Sequence, residues 1–324
     1  MAGLCHPDGQ MRIGLTPSET IALSLHCENQ YTGSQSWLAA LADQGNASAS
    51  YILARVLQVK LFGPSSTNKP KMRGIARRIM RYLRKAADAG HPKAKFYLAG
   101  CYHDGIVTNR DHTKAVELYC NVADRGMAQA QVALGRCYEL GEGVDQDINA
   151  AIEWYSKAED QGSEDGRLHI HLTAVCLVNG FGTTEDRVKA AGIFEQLAND
   201  SHSDSQLWIG ECYRRGGGVS EDHEKAFEWY NKAASQGNSY GHWMVGTCYY
   251  FGQGVAHDET KALEWFRRSA DQDNRYGQYH LGNCYRDGYG VDADINTAVL
   301  WYRKSANQGC DLAIDRLKWF GKWP

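Results

Sequence analysis

Hydrophobic and polar positions recur with a fixed period along most of the chain. A cysteine followed by tyrosine or leucine stands at positions 101, 137, 176, 212, 248 and 284, so successive copies lie 36, 39, 36, 36 and 36 residues apart. Before these cysteines, small or aliphatic residues stand three or four positions apart, as do Ala130, Leu134 and Cys137. This spacing places them on one face of an α-helix. A period of this length predicts a solenoid, in which each unit is too small to bury its own apolar face and stacks on its neighbours.

The second half of each repeat carries the signals of another helix. An aspartate stands ten residues after each of these cysteines, and an alanine follows four residues later. A carboxylate there can accept hydrogen bonds from the unpaired amides of a first helical turn, at the positive end of the helix dipole. Most repeats also contain Gly-x-Gly-Val, as at Gly141, and glycine readily adopts the left-handed conformation that ends a helix. Each repeat is therefore predicted to be two helices joined by a short loop.

The clearest copy runs from Gly237 to Ala262. It reads Gly-Asn-Ser-Tyr-Gly-His-Trp-Met-Val-Gly-Thr-Cys-Tyr-Tyr-Phe-Gly-Gln-Gly-Val, followed by Asp258 and then Lys261-Ala262. With the Trp-Tyr or Trp-Phe pairs of the second helices, these residues resemble the Sel1-like repeat family over roughly residues 35 to 310. The resemblance implies an all-α, right-handed superhelical solenoid related to the tetratricopeptide repeats. It also implies a scaffold or adaptor, because most members of that family have this role.

Three parts are predicted along the chain. Residues 1–34 form an N-terminal segment with a capping helix at about 16–28. Residues 35–310 form an array of about seven units, with a nine-residue loop insertion near 62–70. Residues 311–324 form a C-terminal capping helix and a tail, because terminal repeats protect the core.

The ten cysteines do not indicate a disulfide framework, because six of them occupy the same apolar position, one in each repeat. Packed helices lie about 8–10 Å apart, whereas a disulfide needs Cα atoms within about 7 Å. We expect free thiols packed as small hydrophobic groups. Neither a signal peptide nor a transmembrane segment is evident, so the expected location is the cytoplasm, with the nucleus as an alternative.

Positive charge is concentrated near the start of the array. The net charge is −3, yet residues 60 to 85 hold nine lysines and arginines and no acid. A helix over about 72–89 would carry Arg73, Arg77, Arg81 and Arg84 on its polar face. This helix could recruit the protein to an anionic membrane surface, a nucleic acid or an acidic partner, or it could be a second helix with a solvated outer face. We expect no nucleic acid partner, because only Tyr82 interleaves with the arginines.

The first helices of such an array line its concave surface, and the side chains pointing away from the packing face become aromatic towards the C-terminus. Rigid rings bury a large area at little entropic cost, while arginine binds acidic groups. We therefore predict a peptide-binding or protein-binding groove centred on Trp243 and Tyr279. The protein would be a non-catalytic adaptor, with regulation of a bound enzyme as one role. The same rings could instead pack between units as core. The predicted groove residues are Tyr240, Trp243, Thr247, Tyr250, Phe251, Tyr276, Tyr279, Asn283, Arg286, Glu211, Arg214 and Arg215.

A small-molecule or enzyme site in the aromatic groove is the alternative outside protein binding. His169 and His171 lie near Cys176, but side chains two positions apart on a helix point about 200° apart and cannot share a metal ion. The cysteines show no paired zinc spacing, and the Gly-x-Gly segments follow helices rather than strands. We therefore expect no catalytic residue, metal or cofactor.

Overall fold

Helices account for nearly all of the regular structure. The computed structural model describes residues 32–62 and 69–322. The predicted capping helix at 16–28 and most of the predicted loop at 62–70 lie outside these residues. The described part contains sixteen helices and no strand: α1 (Thr32–Asp43), α2 (Ala47–Phe62), α3 (Lys69–Asp88), α4 (Pro92–Asp104), α5 (His112–Ala123), α6 (Ala128–Leu140), α7 (Ile148–Glu159), α8 (Glu164–Asn179), α9 (Arg187–Asn199), α10 (Ser203–Arg215), α11 (His223–Ser235), α12 (Ser239–Phe251), α13 (Glu259–Asp271), α14 (Arg275–Asp287), α15 (Ile295–Asn307) and α16 (Asp311–Trp319).

The helices form two compact units, one through Gly166 and one from Arg167 onwards. In the first unit, α2 packs on α3, α4 on α5 and α6 on α7. In the second unit, α10 packs on α11, α12 on α13 and α14 on α15, and the first helices α12 and α14 also contact each other. Within each unit, consecutive helices therefore form stacked pairs, and the predicted all-α repeat fold is confirmed.

Both ends of the predicted loops have the expected geometry. The aspartates that precede the second helices accept backbone hydrogen bonds, as in the 3.0 Å bond from Lys225 N to Asp222 Oδ1. The first helices end at glycines with positive φ, such as Gly252 at 67°. The same pattern is present at Asp111, Asp147, Asp186, Asp258 and Asp294.

The core of each repeat forms where an aromatic ring of the second helix crosses a small residue of the first. At Gly246, an added Cβ would lie 2.7 Å from a ring carbon of Phe266, and at Gly282 it would lie 2.7 Å from the Tyr302 ring. Both rings are fully buried. The small residue therefore sets how closely the two helices approach.

The cysteines of the repeats pack next to these contacts as free thiols. Cys101, Cys137, Cys212, Cys248 and Cys284 are buried, and Cys176 is half-buried. Burial raises the pKa of Cys248 and of Cys284 to about 12. The prediction of free thiols in the packed interior is thus confirmed for the five buried cysteines, whereas Cys176 is only half-buried.

Two repeats depart from the common frame. Helix α8 has 16 residues, whereas α6 has 13, so the three extra residues of this repeat extend a helix. Ser201 and Asp273 have φ of 65° and 58° where other repeats use glycine. Side chains in this left-handed conformation cost free energy, so these two turns are strained relative to their equivalents.

Candidate functional site

Five rings on α12 and α14 form a partly exposed surface in the second unit. We define the aromatic patch as Tyr240, Trp243, Tyr250, Phe251 and Tyr276. Tyr240 is 45% exposed and Phe251 is 59% exposed, whereas the other three rings are half-buried. The helical period places Tyr240, Trp243 and Tyr250 on one side of α12, three and seven residues apart.

The rings of the aromatic patch contact one another across the two repeats. Trp243 stacks on Tyr276 with ring centroids 4.8 Å apart and an angle of 23°. The Tyr240 ring lies edge-on to both, at 6.4 Å from Trp243 and 6.1 Å from Tyr276. At the other end, Tyr250 and Phe251 make an edge contact at 4.9 Å. Contacts of this kind hold the rings in fixed positions.

A half-buried histidine joins the two ends of the patch. His280 stacks on Phe266 at 4.9 Å and lies 6.2 Å from Trp243 and 6.4 Å from Tyr250. Burial lowers the pKa of His280 to about 4. The imidazole is therefore neutral at physiological pH and acts as another ring of the cluster.

Three residues predicted for the groove are not part of this surface. Tyr279 is only 8% exposed and packs against Tyr302 at 5.9 Å. The Asn283 Oδ1 atom accepts a 2.7 Å hydrogen bond from the Tyr302 hydroxyl, and Thr247 Oγ1 donates a 2.9 Å bond to the carbonyl of Trp243. The expectation that Tyr279 centres the groove is therefore corrected, because its ring fills the space between α14 and α15.

The predicted groove arginines form ion pairs within the chain. Arg214 donates two hydrogen bonds, of 2.8 and 2.6 Å, to Glu211, and Arg215 also pairs with this carboxylate. Burial acts to raise the pKa of Glu211, but the bonds and charges of the two arginines outweigh it and lower the pKa. Arg286 is paired with the adjacent Asp287. Glu211 is shared by two arginines, so the charge at Arg214 and Arg215 is compensated only in part, whereas Arg286 is matched by one acid.

The predicted basic face is exposed, but acids border it. Arg73, Arg77, Arg81 and Arg84 are all exposed on α3. The last three line an open hollow of about 470 Å³ together with Asp43, Lys85 and Asp88. Asp43 lies 3.6 Å from the Lys85 ammonium group. The two carboxylates reduce the positive potential at the place where an anion would bind.

The arrangement closest to a nucleophilic site is buried. Ser205 Oγ lies 2.9 Å from His171 Nδ1 and 2.7 Å from His202 Nδ1. The backbone amide of Ser205 donates to the same His202 nitrogen at 3.2 Å. That nitrogen is therefore an acceptor, so the hydroxyl donates to His202 and accepts from His171. Ser205 is 0% exposed, which leaves no access for a substrate.

One group in the described ranges has the composition of a metal site. His103, His112 and Glu142 each present a donor atom, and these atoms lie within 4.8 Å of one another. A hydrogen bond to Asp104 raises the pKa of His103, burial opposes this, and Glu142 adds to the rise. Reasoning from the sequence missed this group, because its members come from two repeats. The signal available was an acidic residue in the Gly-x-Gly loop and a histidine directly after Asp111.

None of the helices in the part of the chain that the structure describes is both long and apolar enough to cross a membrane.

Three solved structures are similar to this chain, and the first of them supports its fold. A Sel1 repeat protein from Oxalobacter formigenes is 24% identical, with 96% of this chain and 95% of that chain covered and a TM-score of 0.52. A protective antigen of uropathogenic Escherichia coli with an SLR fold is 29% identical, covering 90% of this chain and 68% of that one, at a TM-score of 0.48. An immunity protein from Pseudomonas aeruginosa is 20% identical, covering 67% and 81%, at a TM-score of 0.36. No curated protein matches the chain.

The repeats seen in the sequence and in the helix pairs also match a known family. The Sel1 repeat matches residues 80–91, 92–127, 128–163, 171–202, 203–238, 239–274 and 275–310. The matched segments make up more than half of the chain. Most of their boundaries coincide with the turns between helix pairs, except that the matches starting at 80 and 171 begin within α3 and α8. The chain therefore belongs to the Sel1 repeat family.

Proposed function

We propose that this protein is a non-catalytic adaptor that binds a peptide segment of a partner protein on the aromatic patch. Sel1 repeat proteins are generally scaffolds for protein interactions. The observation that carries the proposal for this chain is the Trp243–Tyr276 stack, flanked by the exposed rings of Tyr240 and Phe251. Large aromatic side chains at fixed positions are the residue types that contribute most to protein interfaces.

The partner segment that fits this surface is apolar rather than acidic. Arg214 and Arg286, which could have bound acidic side chains, already pair with Glu211 and Asp287. The indole Nε1 of Trp243 is buried and has no acceptor within the described residues. We expect the partner to place aliphatic or aromatic side chains between the rings of Tyr240 and Phe251, with its backbone running across α12 and α14.

The raised pKa of the buried cysteines supports the proposal that this adaptor has no catalytic cysteine. Burial raises the pKa of Cys101 and of Cys137 to about 12. A thiol with such a pKa is protonated near neutral pH and is a poor nucleophile. Free thiols are also the usual state in the reducing cytoplasm and nucleus, where the adaptor would act.

The test is selection of ligands from a displayed library of random peptides with the purified protein as bait. The wild type should enrich peptides with apolar anchors, and a Tyr240→Ser/Phe251→Ser double variant should not. A matched control is Leu300→Ser, which removes another exposed apolar side chain, 59% exposed on α15. The control should select the same peptides as the wild type. Selection of one peptide set by all three proteins would contradict the assignment to the aromatic patch.

Binding to anionic surfaces is the second candidate, and it rests on the four exposed arginines of α3. A charge-reversing Arg77→Glu/Arg81→Glu variant separates the two candidates. The measurement is adsorption to vesicles that contain phosphatidylserine. The basic helix would be favoured if the wild type adsorbs and if both this charge reversal and added salt abolish the adsorption. Because Asp43 and Asp88 border the same hollow, we expect no such adsorption.

A further inference from the structure

Two adjacent repeats of the first unit bring three metal-ligand side chains together. His103 lies in the last turn of α4, His112 is the first residue of α5, and Glu142 lies in the loop after α6. The glycine after Glu142 fixes this loop, because a Cβ at Gly143 would collide with the backbone carbonyl of His112. The backbone at positive φ, 83°, therefore holds Glu142 against the start of α5.

The contacts of His103 determine which of its nitrogens faces the group. Nδ1 lies 2.9 Å from Asp104 Oδ1, and Nε2 lies 2.8 Å from Glu142 Oε2. A carboxylate cannot donate, so a neutral imidazole satisfies only one of these two contacts, and its other nitrogen directs a lone pair at a carboxylate oxygen. With the hydrogen on Nδ1, facing Asp104, the lone pair of Nε2 faces Glu142. Two acceptor atoms at 2.8 Å need a positive species between them. This species is either a second proton on His103 or a metal ion.

The presence of His112 favours the metal ion. A proton shared by His103 and Glu142 needs no third donor, yet a nitrogen of His112 completes a set within 4.8 Å. Bonds of about 2.0–2.2 Å to a tetrahedral zinc ion place its ligand atoms about 3.3–3.6 Å apart. The observed separations, from 2.8 Å to at most 4.8 Å, bracket that distance, so small side-chain rotations suffice.

The repeat itself does not require ligand residues at these places. The positions equivalent to His103, His112 and Glu142 hold Arg214, His223 and Gln253 in one repeat of the second unit. In the other repeats, a carboxylate stands at one of these places at most, as at Glu139 and Glu259, and the remaining places hold residues that do not bind zinc, such as Ile148, Phe181 and Gly217. The helix pairs form with any of these sets, so packing does not account for the combination in the first unit.

We propose that His103, His112 and Glu142 bind one Zn²⁺ ion, with Asp104 orienting His103 as an outer carboxylate. Two histidines and a carboxylate are a common zinc-binding set, and they leave a fourth position for water. A carboxylate on the far nitrogen of a ligating histidine fixes its tautomer and strengthens it as a ligand. The side chains of His103 and Glu142 are 25% and 33% exposed, so the ion can reach them from solvent. The ion would connect two adjacent repeats.

The experiment is calorimetric titration of ZnCl₂ into untagged protein freed of metal with a chelator. The wild type should bind one ion per chain at pH 7.5. A His112→Asn/Glu142→Gln double variant keeps side-chain size and should lose at least tenfold in affinity. Asp104→Asn should weaken binding by roughly 10–100-fold. His223→Asn, the equivalent change at the start of α11, should bind zinc as the wild type does.

Thermal unfolding with and without zinc provides the second readout. The ion should raise the melting temperature of the wild type and of His223→Asn, but not that of the double variant. Circular dichroism of the metal-free proteins checks that all variants fold. Absence of zinc binding by the wild type at micromolar concentration, or equal binding by the double variant, would overturn the proposal and leave a proton-bridged pair.

Discussion

The packing of each repeat depends on single positions where a ring meets a backbone without a side chain. Position two before the repeated cysteine is occupied by Gly135, Gly210, Gly246 and Gly282, and at each of them a Cβ would lie 2.5–2.7 Å from a tyrosine or phenylalanine ring. The period in the sequence is sufficient to predict this requirement, because the same small residue returns beside the same apolar face. Which ring it contacts is visible only in the structure.

Adding a side chain at Gly246 should destabilise the protein strongly. In the Gly246→Val variant, the Phe266 ring must move, and overpacking of this kind costs about 1–3 kcal/mol. The matched control is Gly192→Ala on α9, where a Cβ meets no atom within 4 Å. That change should stabilise slightly, because alanine favours helix. Urea unfolding measures both, and an unchanged midpoint for Gly246→Val would show that the packing face is assigned wrongly.

The sequence was less informative about which residues face the solvent. The helical period predicted that Tyr279 faces the groove, but this ring is 8% exposed, whereas Phe251 is 59% exposed. Both stand on the predicted stripe, and the period alone cannot separate them. The difference arises because α15 covers Tyr279, whereas Phe251 is the last residue of α12 and is left open. Similarly, the identity of Arg214 and Arg286 did not reveal that each pairs with an acid close by on its own helix.

At the scale of helices, glutamines connect the second helix of one repeat with its neighbours. Gln206 is buried in α10, and its amide donates to the carbonyl of Ala198 at 3.0 Å while its oxygen accepts from Gln236 at 2.7 Å. The same arrangement recurs with Gln131 and Gln161, and with Gln278 and Gln308. Glutamine six residues before a repeated cysteine was visible in the sequence, but its partners come from two different helices. The role of this residue could therefore not be predicted.

Replacing Gln206 with leucine should cost about 0.5–1.5 kcal/mol of unfolding free energy, because its buried hydrogen bond to the carbonyl of Ala198 is lost while this carbonyl keeps the Ser201 amide as a donor. Gln236→Ala removes only the hydrogen bond that the exposed Gln236 donates to the Gln206 side chain, and we expect a smaller loss of unfolding free energy. Denaturant unfolding of the two variants provides the comparison. Equal losses would mean that the buried glutamine contributes only its packing.

At the scale of the whole molecule, the second unit contains histidines with a lowered pKa that make its stability depend on pH, and the shift is largest at His171 and His280. Burial lowers the pKa of His280 to about 4. Burial, with a contribution from His202, lowers the pKa of His171 to about 4. In the unfolded chain the pKa is near 6.5. Between these values the unfolded chain binds protons that the folded chain does not, so stability falls as the pH decreases from about 6.5 to about 4.

The His280→Met variant should reduce this dependence. Methionine stands at the equivalent repeat position, Met244, so the helix pair accepts it. The stability difference between pH 7.5 and pH 5 should decrease by on the order of 1–3 kcal/mol relative to the wild type, since each pKa unit corresponds to about 1.4 kcal/mol. Thermal unfolding across this range measures it. An identical pH profile for both proteins would mean that His280 titrates normally.

The fold was predictable from the sequence because every repeat restates the same constraints, from the aspartate caps to the small residue under each ring. The proposed binding surface was predictable only in outline, because it consists of side chains by which the repeats differ. The fold does not require aromatic residues at the positions of Tyr240 and Phe251. The group of His103, His112 and Glu142 forms from residues up to 39 positions apart. Such groups form when repeats stack. The period in the sequence predicts the stacking, but it does not show which side chains the stacking brings together.

The most direct test of the account is the dissociation constant of a selected peptide, measured by fluorescence polarisation at 50 and 500 mM salt. The account predicts that Tyr240→Ser/Phe251→Ser weakens binding by about tenfold or more, that Leu300→Ser does not, and that salt has little effect because the contacts are apolar. Equal affinity for the double variant would contradict the account. So would a steep loss of affinity with salt that Arg77→Glu/Arg81→Glu abolishes, since the binding surface would then be the basic face of α3.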